Sequence, residues 1–340
     1  MQPTDFAYSL TAYLSEYLPG QLGFSPNTIK SYRDTFVVFL RFLESDKNIS
    51  AKHVTLSIVT KELVLEFLKH LEEDRGCKIS TRNLRLAAIH GFFGYLQVER
   101  PDFMLQCQQI QSIPMKKQSR STAVHFISLD GIKTIFDMPD TATYMGRRDL
   151  TMLALLYDTG ARVQELADLK VKDVRIEPPV TIKLTGKGNK TRIVPIMNQT
   201  VSLLGEYFDE RCLNSQDKKE LPLFTNRKRQ KLTRAGINYI IRKYVTRART
   251  VAPKHIPEKI SAHTFRHSKA MHLLQAGINL VYIRDLLGHV SITTTEIYAR
   301  ADVEMKRKAL ENAYENPTPK TVPQWQKDDS LLEWLKSLGN

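Results

Sequence analysis

Residues 180–196 read VTIKLTGKGNKTRIVPI, and they carry the clearest β-strand signal in the chain. Two runs rich in β-branched residues, Val180 to Thr185 and Thr191 to Ile196, flank the turn GKGNK. Such runs on either side of a short glycine-containing segment are typical of a β-hairpin. The sequence therefore predicts a small sheet within a chain that is otherwise helical.

Helical patterns occupy the sequence on both sides of this hairpin. Ser25 and Pro26 open SPNTIKSYRDTFVVFLRFLE with an N-cap residue and a proline at the first helical position. The segments beginning at Thr60 and Ser80 repeat apolar residues at helical spacing. Beyond the hairpin we expect helices at residues 233–248, 263–276, 279–287 and about 292–315. We predict a mainly α chain with a small β-sheet, of the α+β class.

The basic segment PMKKQSRS, residues 114–121, lacks apolar periodicity and indicates a joint between two domains. We place a helical domain at residues 1–113, a linker at 114–125 and a second domain, which holds the hairpin, at 126–315. Residues 316–340 form a tail with three prolines, followed by a short apolar segment around Trp334. We therefore expect two domains, each with its own core.

Charge is the most informative bulk property, because 50 Lys and Arg residues against 36 Asp and Glu residues give the 340-residue chain a net charge of +14. Surplus cations bind polyanions through counterion release, so nucleic acid is the leading partner. A merely basic enzyme and a binder of anionic membranes are the alternatives. Three scattered cysteines argue against a disulfide framework. Without a membrane span or a secretory signal, we expect a cytoplasmic, nucleoid-associated protein that binds no membrane.

Five basic residues are candidates for contacts with DNA. Arg82 and Arg85 lie on or near the more polar side of the third helix, and Lys116, Lys117 and Arg120 lie in the linker. The helix would contact phosphates, and the linker would cross a phosphate backbone. A solvated helix face and a soluble, flexible linker are the alternatives.

Two segments of the second domain carry isolated cations at positions suited to a ligand. In TGARVQEL, Arg162 and Glu165 are three residues apart on one face of a helix that follows a glycine turn. Lys187 lies in the hairpin turn, where a flexible point charge swings over a ligand while the strands hold its base. Taken alone, a surface ion pair and an ordinary turn lysine explain these residues equally well.

HTFRHS sets His263 and Arg266 three residues apart, with His267 next to the arginine. A zinc site at His263 and His267 is disfavoured, because the metalloprotease pattern requires glutamate where Thr264 stands. A helix that is merely rich in histidine remains the alternative for His267 and His272.

GHVSITTTEIYAR, residues 288–300, places Tyr298 nine positions after His289. Tyrosine is a weak nucleophile at a pKa of about 10, yet its phenolate attacks phosphorus and holds the product as an ester. Such a transfer without metal requires cations aimed at the nonbridging oxygens and a proton donor for the leaving alkoxide. Two arginines, a lysine and two histidines meet that requirement.

The order of these residues resembles the tyrosine recombinase, or phage integrase, family, and within it the Xer-like members. The matching motifs are TGARVQEL, GKGNKTRIVP, HTFRHS, LLGH and TTTEIYAR, all in family order. The resemblance covers residues 126–300 closely and residues 8–112 by size and helical pattern. It implies an N-terminal helical, SAM-like core-binding domain and a catalytic domain, which close on double-stranded DNA as a C-shaped clamp.

The resemblance also implies roles for the residues around the phosphate. Arg162 and Arg266 would clamp the scissile phosphate, and His289 would add a hydrogen bond to the same oxygens. Glu165 would support the site from behind these residues.

The covalent steps would fall to three further side chains. Tyr298 would become joined to the 3′ phosphate, His263 would assist proton transfer at the tyrosine, and Lys187 would protonate the departing 5′ oxygen. Because the ester conserves the energy of the phosphodiester bond, strand exchange would need no ATP, no metal and no cofactor.

The implied assembly is a homotetramer on two DNA sites, or a dimer on one. The segment around Trp334 would dock on a neighbouring subunit or pack on its own domain, and this tail is longer than that of the shortest members. Integration or excision of a mobile element and Xer-type resolution both fit the resemblance. A type IB-like topoisomerase and a noncatalytic DNA-binding protein on the same scaffold are the rival functions.

Overall fold

The computed structural model describes residues 3–117, 125–289 and 291–301. The chain divides into two compact units, Met1–Arg120 and Ser121–Asn340. Each unit has its own buried apolar cluster. The tail from residue 316, with the segment around Trp334, and the end of the helix expected at about 292–315 lie outside the described residues.

The first unit is helical. Its α-helices are α1 (Asp5–Ala12), α2 (Pro26–Lys47), α3 (Lys61–Glu73), α4 (Ile79–Glu99) and α5 (Met104–Gln111). The predicted cap at Ser25 is confirmed, and Thr60 caps α3 in the same way: both side chains accept hydrogen bonds from backbone N–H groups of the first turns. Aromatic rings from three helices meet in the core, where Phe92 packs edge-on against Phe6 and Phe36.

The second unit surrounds a small sheet with helices. They are α6 (Leu129–Phe136), α7 (Tyr144–Thr159), α8 (Val163–Asp168), α9 (Asn198–Glu210), α10 (Arg234–Val251), α11 (Ala262–Gln275), α12 (Leu280–Leu287) and α13 (Thr293–Ala301). Helix α7 is buried along most of its length and ends at Gly160, which has a left-handed backbone. The predicted helices beyond the hairpin are confirmed as α10, α11, α12 and the start of α13.

The predicted hairpin is confirmed by β2 (Thr181–Thr185) and β3 (Thr191–Pro195), which pair antiparallel with Ile182 opposite Val194. A two-residue strand, β1 (Val174–Arg175), pairs antiparallel with β2 and was not predicted from the sequence. Its shortness explains the omission, because two residues show no alternation that a pattern could reveal. In the described residues this is a three-stranded sheet in a mainly helical chain, so the α+β prediction is confirmed.

Within the described ranges, no helix combines the length and the apolar character that a membrane span requires.

Candidate active site

The start of α8 brings together two arginines and one buried carboxylate. Glu165 accepts hydrogen bonds from the backbone N–H and Nη1 of Arg162, at 2.9 and 2.6 Å. Arg192, on β3, donates from Nη1 and Nη2 to both oxygens of the same carboxylate, at 3.1 and 2.7 Å. Glu165 therefore fixes Arg162 and ties α8 to the hairpin strand.

The electrostatics of Glu165 follow from this pairing. Burial by itself raises the pKa of the carboxyl, but the hydrogen bonds from Arg192 and from the Arg162 backbone outweigh it and lower the pKa to about 2. The group is therefore ionised at neutral pH and balances the two guanidinium charges that flank it.

Arg266 enters the same region from α11 and is 1 % exposed. Its Nη1 donates to the carbonyl of Gly160 at 2.7 Å, its Nη2 donates to the carbonyl of Leu287, and its Nε is buried without a partner. Burial, followed by the charges of Arg162 and Arg192, lowers the pKa of Arg266 to about 10. The guanidinium thus stays charged at neutral pH and is held rigidly by two backbone groups.

Glycine residues at two turns allow the ends of α7 and α12 to approach the arginines closely. Gly160 has φ +57°, and a Cβ there would lie 2.7 Å from Cδ2 of Leu287. Gly288 ends α12 with φ +65°, and a Cβ there would lie 3.0 Å from the Arg192 guanidinium. The left-handed backbone and the crowding both require glycine, so the ends of α7 and α12 converge on the arginines.

His289 follows Gly288 and faces the start of α13. Its Nδ1 lies 2.9 Å from Oγ1 of Thr295, which is fully buried. Burial and then the charges of Arg266 and Arg162 lower the pKa of His289 to about 4, so the imidazole is neutral at physiological pH.

Tyr298 lies on α13, 1 % exposed, with its ring stacked on that of His289 at a centroid distance of 6.5 Å. Its hydroxyl is 2.8 Å from Nδ1 of His267. Burial raises the pKa of the phenol to about 12, although the charge of Arg266 acts in the opposite direction. The nine-residue spacing is therefore the length of chain that turns from α12 into α13 and returns the tyrosine ring to the histidine.

Two further expected members of the site are His263 and Lys187. His263 lies on α11 as an exposed residue, and its ring centroid is 4.5 Å from that of His267. Its ring is nevertheless partly desolvated, and this desolvation, followed by the charges of Arg266 and Arg162, lowers its pKa. Lys187 is placed by its backbone in the turn between β2 and β3; its side chain lies outside the described parts of the structure.

An open cleft of about 630 Å³ connects these segments. It is lined by Arg162, Gly186, Gly188, Lys190, Thr191, Arg192, Gly288 and His289. Five of these residues belong to the loop and strand that carry the hairpin cations, so the cleft is a basic surface with two glycine turns in its wall. A cleft of this character is suited to a phosphate group.

Of the candidates for DNA contacts, Arg82 is corrected by the structure. The residue is 4 % exposed, and its Nη1 donates to Asn83 and to the carbonyl of Pro114, so the expectation that it lies on the polar side of its helix is wrong. The long side chain is buried because it anchors the end of the first unit to α4. In this structure the buried guanidinium of Arg82 is therefore not available to DNA.

The other four candidates remain predictions. Arg85 is half-buried and donates to the carbonyl of Asp34, whereas Lys116 and Lys117 are exposed. Lys116 also forms an ion pair with Glu72 at 2.7 Å. Arg120 lies outside the described residues.

In the ranges that the structure describes, one group of side chains has the spacing of a metal site: Asp46, His70 and Asp74, in the first unit. Nδ1 of His70 is 2.9 and 3.0 Å from the two carboxylates, so these three groups already contact one another directly. None of them belongs to the cluster around Tyr298.

The comparison with known proteins agrees with this geometry. Residues 125–305 match the phage integrase family, and residues 10–100 match the N-terminal SAM-like domain of phage integrases. The chain belongs to the phage integrase family. This membership makes it a tyrosine recombinase, an enzyme of site-specific recombination.

Individual relatives match this phage integrase along most of its length. It is 33 % identical to "Putative integrase/recombinase y4rC" of Sinorhizobium fredii over 329 residues, 97 % of each chain. It is 33 % identical to tyrosine recombinase XerC of Herpetosiphon aurantiacus, covering 89 % of this chain and 93 % of the relative. The XerH recombinase bound to difH has the same fold, with TM-score 0.63 and 24 % identity over 83 % of this chain and 79 % of that one.

One residue of the integrase site, Arg192, was not predicted from the sequence, and the role of another, His267, was left open. Arg192 lies within the motif GKGNKTRIVP, but its distance in sequence from Glu165 hides the pairing between them. The sequence did not decide whether His267 has a functional or a merely structural role, although its position next to Arg266 could have indicated a place in the site.

We expect Arg192→Gln to destabilise the second unit, because removal of one partner from a buried ion pair costs about 3 kcal/mol of unfolding free energy. The pKa of Glu165 is depressed from 4.5 to about 2, so its contribution is complete above pH 4.5 and is lost as the pH falls towards 2. Chemical denaturation from neutral pH downwards should show a difference from wild type that shrinks below pH 4.5.

The matched control is Lys172→Gln, which breaks the exposed pair between Lys172 and Glu220. It should leave the denaturation midpoint unchanged, because solvent screens exposed pairs. An equal midpoint for Arg192→Gln and wild type would show that the buried pair contributes nothing to stability.

Proposed function

We propose that this recombinase cleaves and rejoins double-stranded DNA through a covalent 3′-phosphotyrosine at Tyr298, without metal or ATP. The observation that carries the proposal is the position of Tyr298, stacked on His289 and close enough to Arg266 for that charge to act on its pKa. A phenol oxygen beside a cationic pocket is what in-line attack on a phosphodiester requires.

The scissile phosphate would sit in the cleft that Arg162 and His289 line. The side chain of Arg162 is 38 % exposed, and its Nη2 makes only a 3.4 Å contact with the carbonyl of Gly288. Nε of Arg266 is buried without a partner. The unpartnered Nε of Arg266 and the long contact of Arg162 Nη2 favour a clamp on the nonbridging oxygens, and neutral His289 would add a further donor.

The covalent steps balance without a cofactor. The bond between the Tyr298 oxygen and phosphorus forms while the bond from phosphorus to the 5′ oxygen breaks. His263 accepts the tyrosine proton as the phenol oxygen bonds to phosphorus, and Lys187, in the turn beside the cleft, supplies a proton to the 5′ oxygen. Ligation reverses these steps on a new strand, so the energy of the phosphodiester bond is conserved.

The first unit would supply the rest of the grip on DNA. We propose that residues 1–113 form the core-binding domain and that the basic segment 114–125 crosses the phosphate backbone. Arg85, Lys116, Lys117 and Arg120 are the candidates for these contacts. The C-shaped clamp, the tetramer on two sites and docking by the segment around Trp334 belong to the same proposal.

A two-site assay separates this function from relaxation by a type IB-like topoisomerase. The assay uses a plasmid that carries two copies of the site, taken from DNA that flanks the coding region and identified by footprinting with the protein. Because recombination pairs two sites, this plasmid should yield exchange between the copies. A plasmid without the sites is the control. Relaxation of both plasmids at equal rates without exchange would contradict the proposal, and binding without cleavage would indicate a noncatalytic protein.

A further inference from the structure

The side chain in contact with the Tyr298 hydroxyl is His267, not His263. The two residues are one helical turn apart on α11, and the Nδ1 of His267 is 2.8 Å from the phenol oxygen. Their rings meet edge to face at 5.5 Å. We propose that His267 is a positioning residue for the nucleophile, which holds the phenol oxygen by a hydrogen bond; this inference rests on the proposed function of Tyr298.

The surroundings of His267 fix the direction of that hydrogen bond. Burial, followed by the charges of His263 and Arg266, lowers the pKa of His267 to about 4, so the ring is neutral at physiological pH. The phenol of Tyr298 has a pKa of about 12 and keeps its proton. The phenol is therefore the donor and Nδ1 the acceptor, with the imidazole proton on Nε2.

The same two pKa values distinguish a positioning role of His267 from a role as the base that removes the phenol proton. A phenol of pKa about 12 does not transfer its proton fully to an imidazole of pKa about 4. The hydrogen bond instead points the O–H towards α11, which leaves the oxygen lone pairs to approach phosphorus. Because a misplacement of about 1 Å costs on the order of a hundredfold in rate, an acceptor that fixes this oxygen has a direct effect on cleavage.

A second tyrosine–histidine pair, whose histidine also lies on α11, provides a matched control. The hydroxyl of Tyr157 is 2.8 Å from Nδ1 of His272, and burial raises the pKa of that phenol to about 12. The two pairs have the same chemistry and the same hydrogen-bond length. Only the pair with Tyr298 lies beside His289 and Arg266, so variants of the two histidines separate a role in cleavage from a role in packing.

The experiment measures single-turnover formation of the covalent adduct on nicked DNA that carries the target site. His267→Ala should slow adduct formation by on the order of a hundredfold with unchanged DNA affinity. His267→Asn, whose amide oxygen is the same number of bonds from the backbone as Nδ1 and accepts the same hydrogen bond, should recover most of that loss. His272→Ala should cleave within about threefold of wild type, and thermal melting should show that all three variants are folded.

Three results would overturn the inference. They are cleavage by His267→Ala at or above the wild-type rate, equal rates for His267→Asn and His267→Ala, and an equal loss in His272→Ala. Failure of the proposed function is distinct, because wild type would then form no adduct, or Tyr298→Phe would still form one.

Discussion

Tyr298→Phe is expected to abolish the covalent protein–DNA adduct while DNA binding persists. The substitution removes one oxygen atom and keeps the ring, which is buried among Ala270, Met271, Leu274, Ile283 and Leu287 of α11 and α12. The fold should therefore be retained, and the loss should exceed about 10⁴-fold in cleavage rate, as expected when a nucleophile is removed. An SDS-resistant adduct on nicked DNA is the measurement.

Tyr157→Phe is the control for this experiment. Tyr157 is another phenol of pKa about 12 that is hydrogen-bonded to a histidine of α11, but its ring packs against Phe136 and His272, whereas His289 stacks on Tyr298. It should form the adduct at nearly the wild-type rate. An adduct that persists in Tyr298→Phe would assign the nucleophile to another side chain, and an equal loss in both variants would trace the effect to folding.

Arg266→Lys is expected to reduce cleavage by about 10²- to 10³-fold, the usual cost of losing a donor to the charge of the transition state. Lysine retains the positive charge but not the planar guanidinium. Its single ammonium group cannot donate to the carbonyls of Gly160 and Leu287, as Arg266 does, and also contact the phosphate. The rate of adduct formation, measured with DNA in excess, is the test.

Arg148→Lys is the matched control, because Arg148 is 3 % exposed and forms a buried ion pair with Asp149. Its substitution should affect unfolding more than cleavage, and adduct formation below the melting temperature should stay within about threefold of wild type. If Arg266→Lys cleaves within tenfold of wild type, Arg266 does not clamp the phosphate. Equal losses in the two variants would indicate a general structural effect.

The fold was predictable from the sequence wherever local chemistry decides it. Ser25 and Thr60 cap helices because their side-chain oxygens accept N–H bonds of the first turn, and Gly160 ends α7 because it tolerates a positive φ. The hairpin was visible for the same reason, since its β-branched runs are contiguous. Strand β1 was not predicted, because its two residues depend on β2 for their conformation.

The placement of Arg82 shows where a sequence pattern misleads. A charged residue near the polar side of a helix is usually solvated, but here Arg82 is 4 % exposed and donates to the carbonyl of Pro114, 32 positions along the chain. The distant carbonyl that favours burial has no signature near Arg82. The burial of a long polar side chain is therefore a tertiary property.

The sequence by itself determined the residue types and their order: two arginines, a hairpin lysine, histidines and one tyrosine in the pattern of the phage integrase family. Only the tertiary structure decided which partners these groups have. It joins Glu165 to Arg192, 27 positions away, and turns the Tyr298 hydroxyl to His267 rather than His263. The physical reason is that hydrogen bonds and burial act over a few ångströms in space, whereas a sequence pattern records only neighbours along the chain.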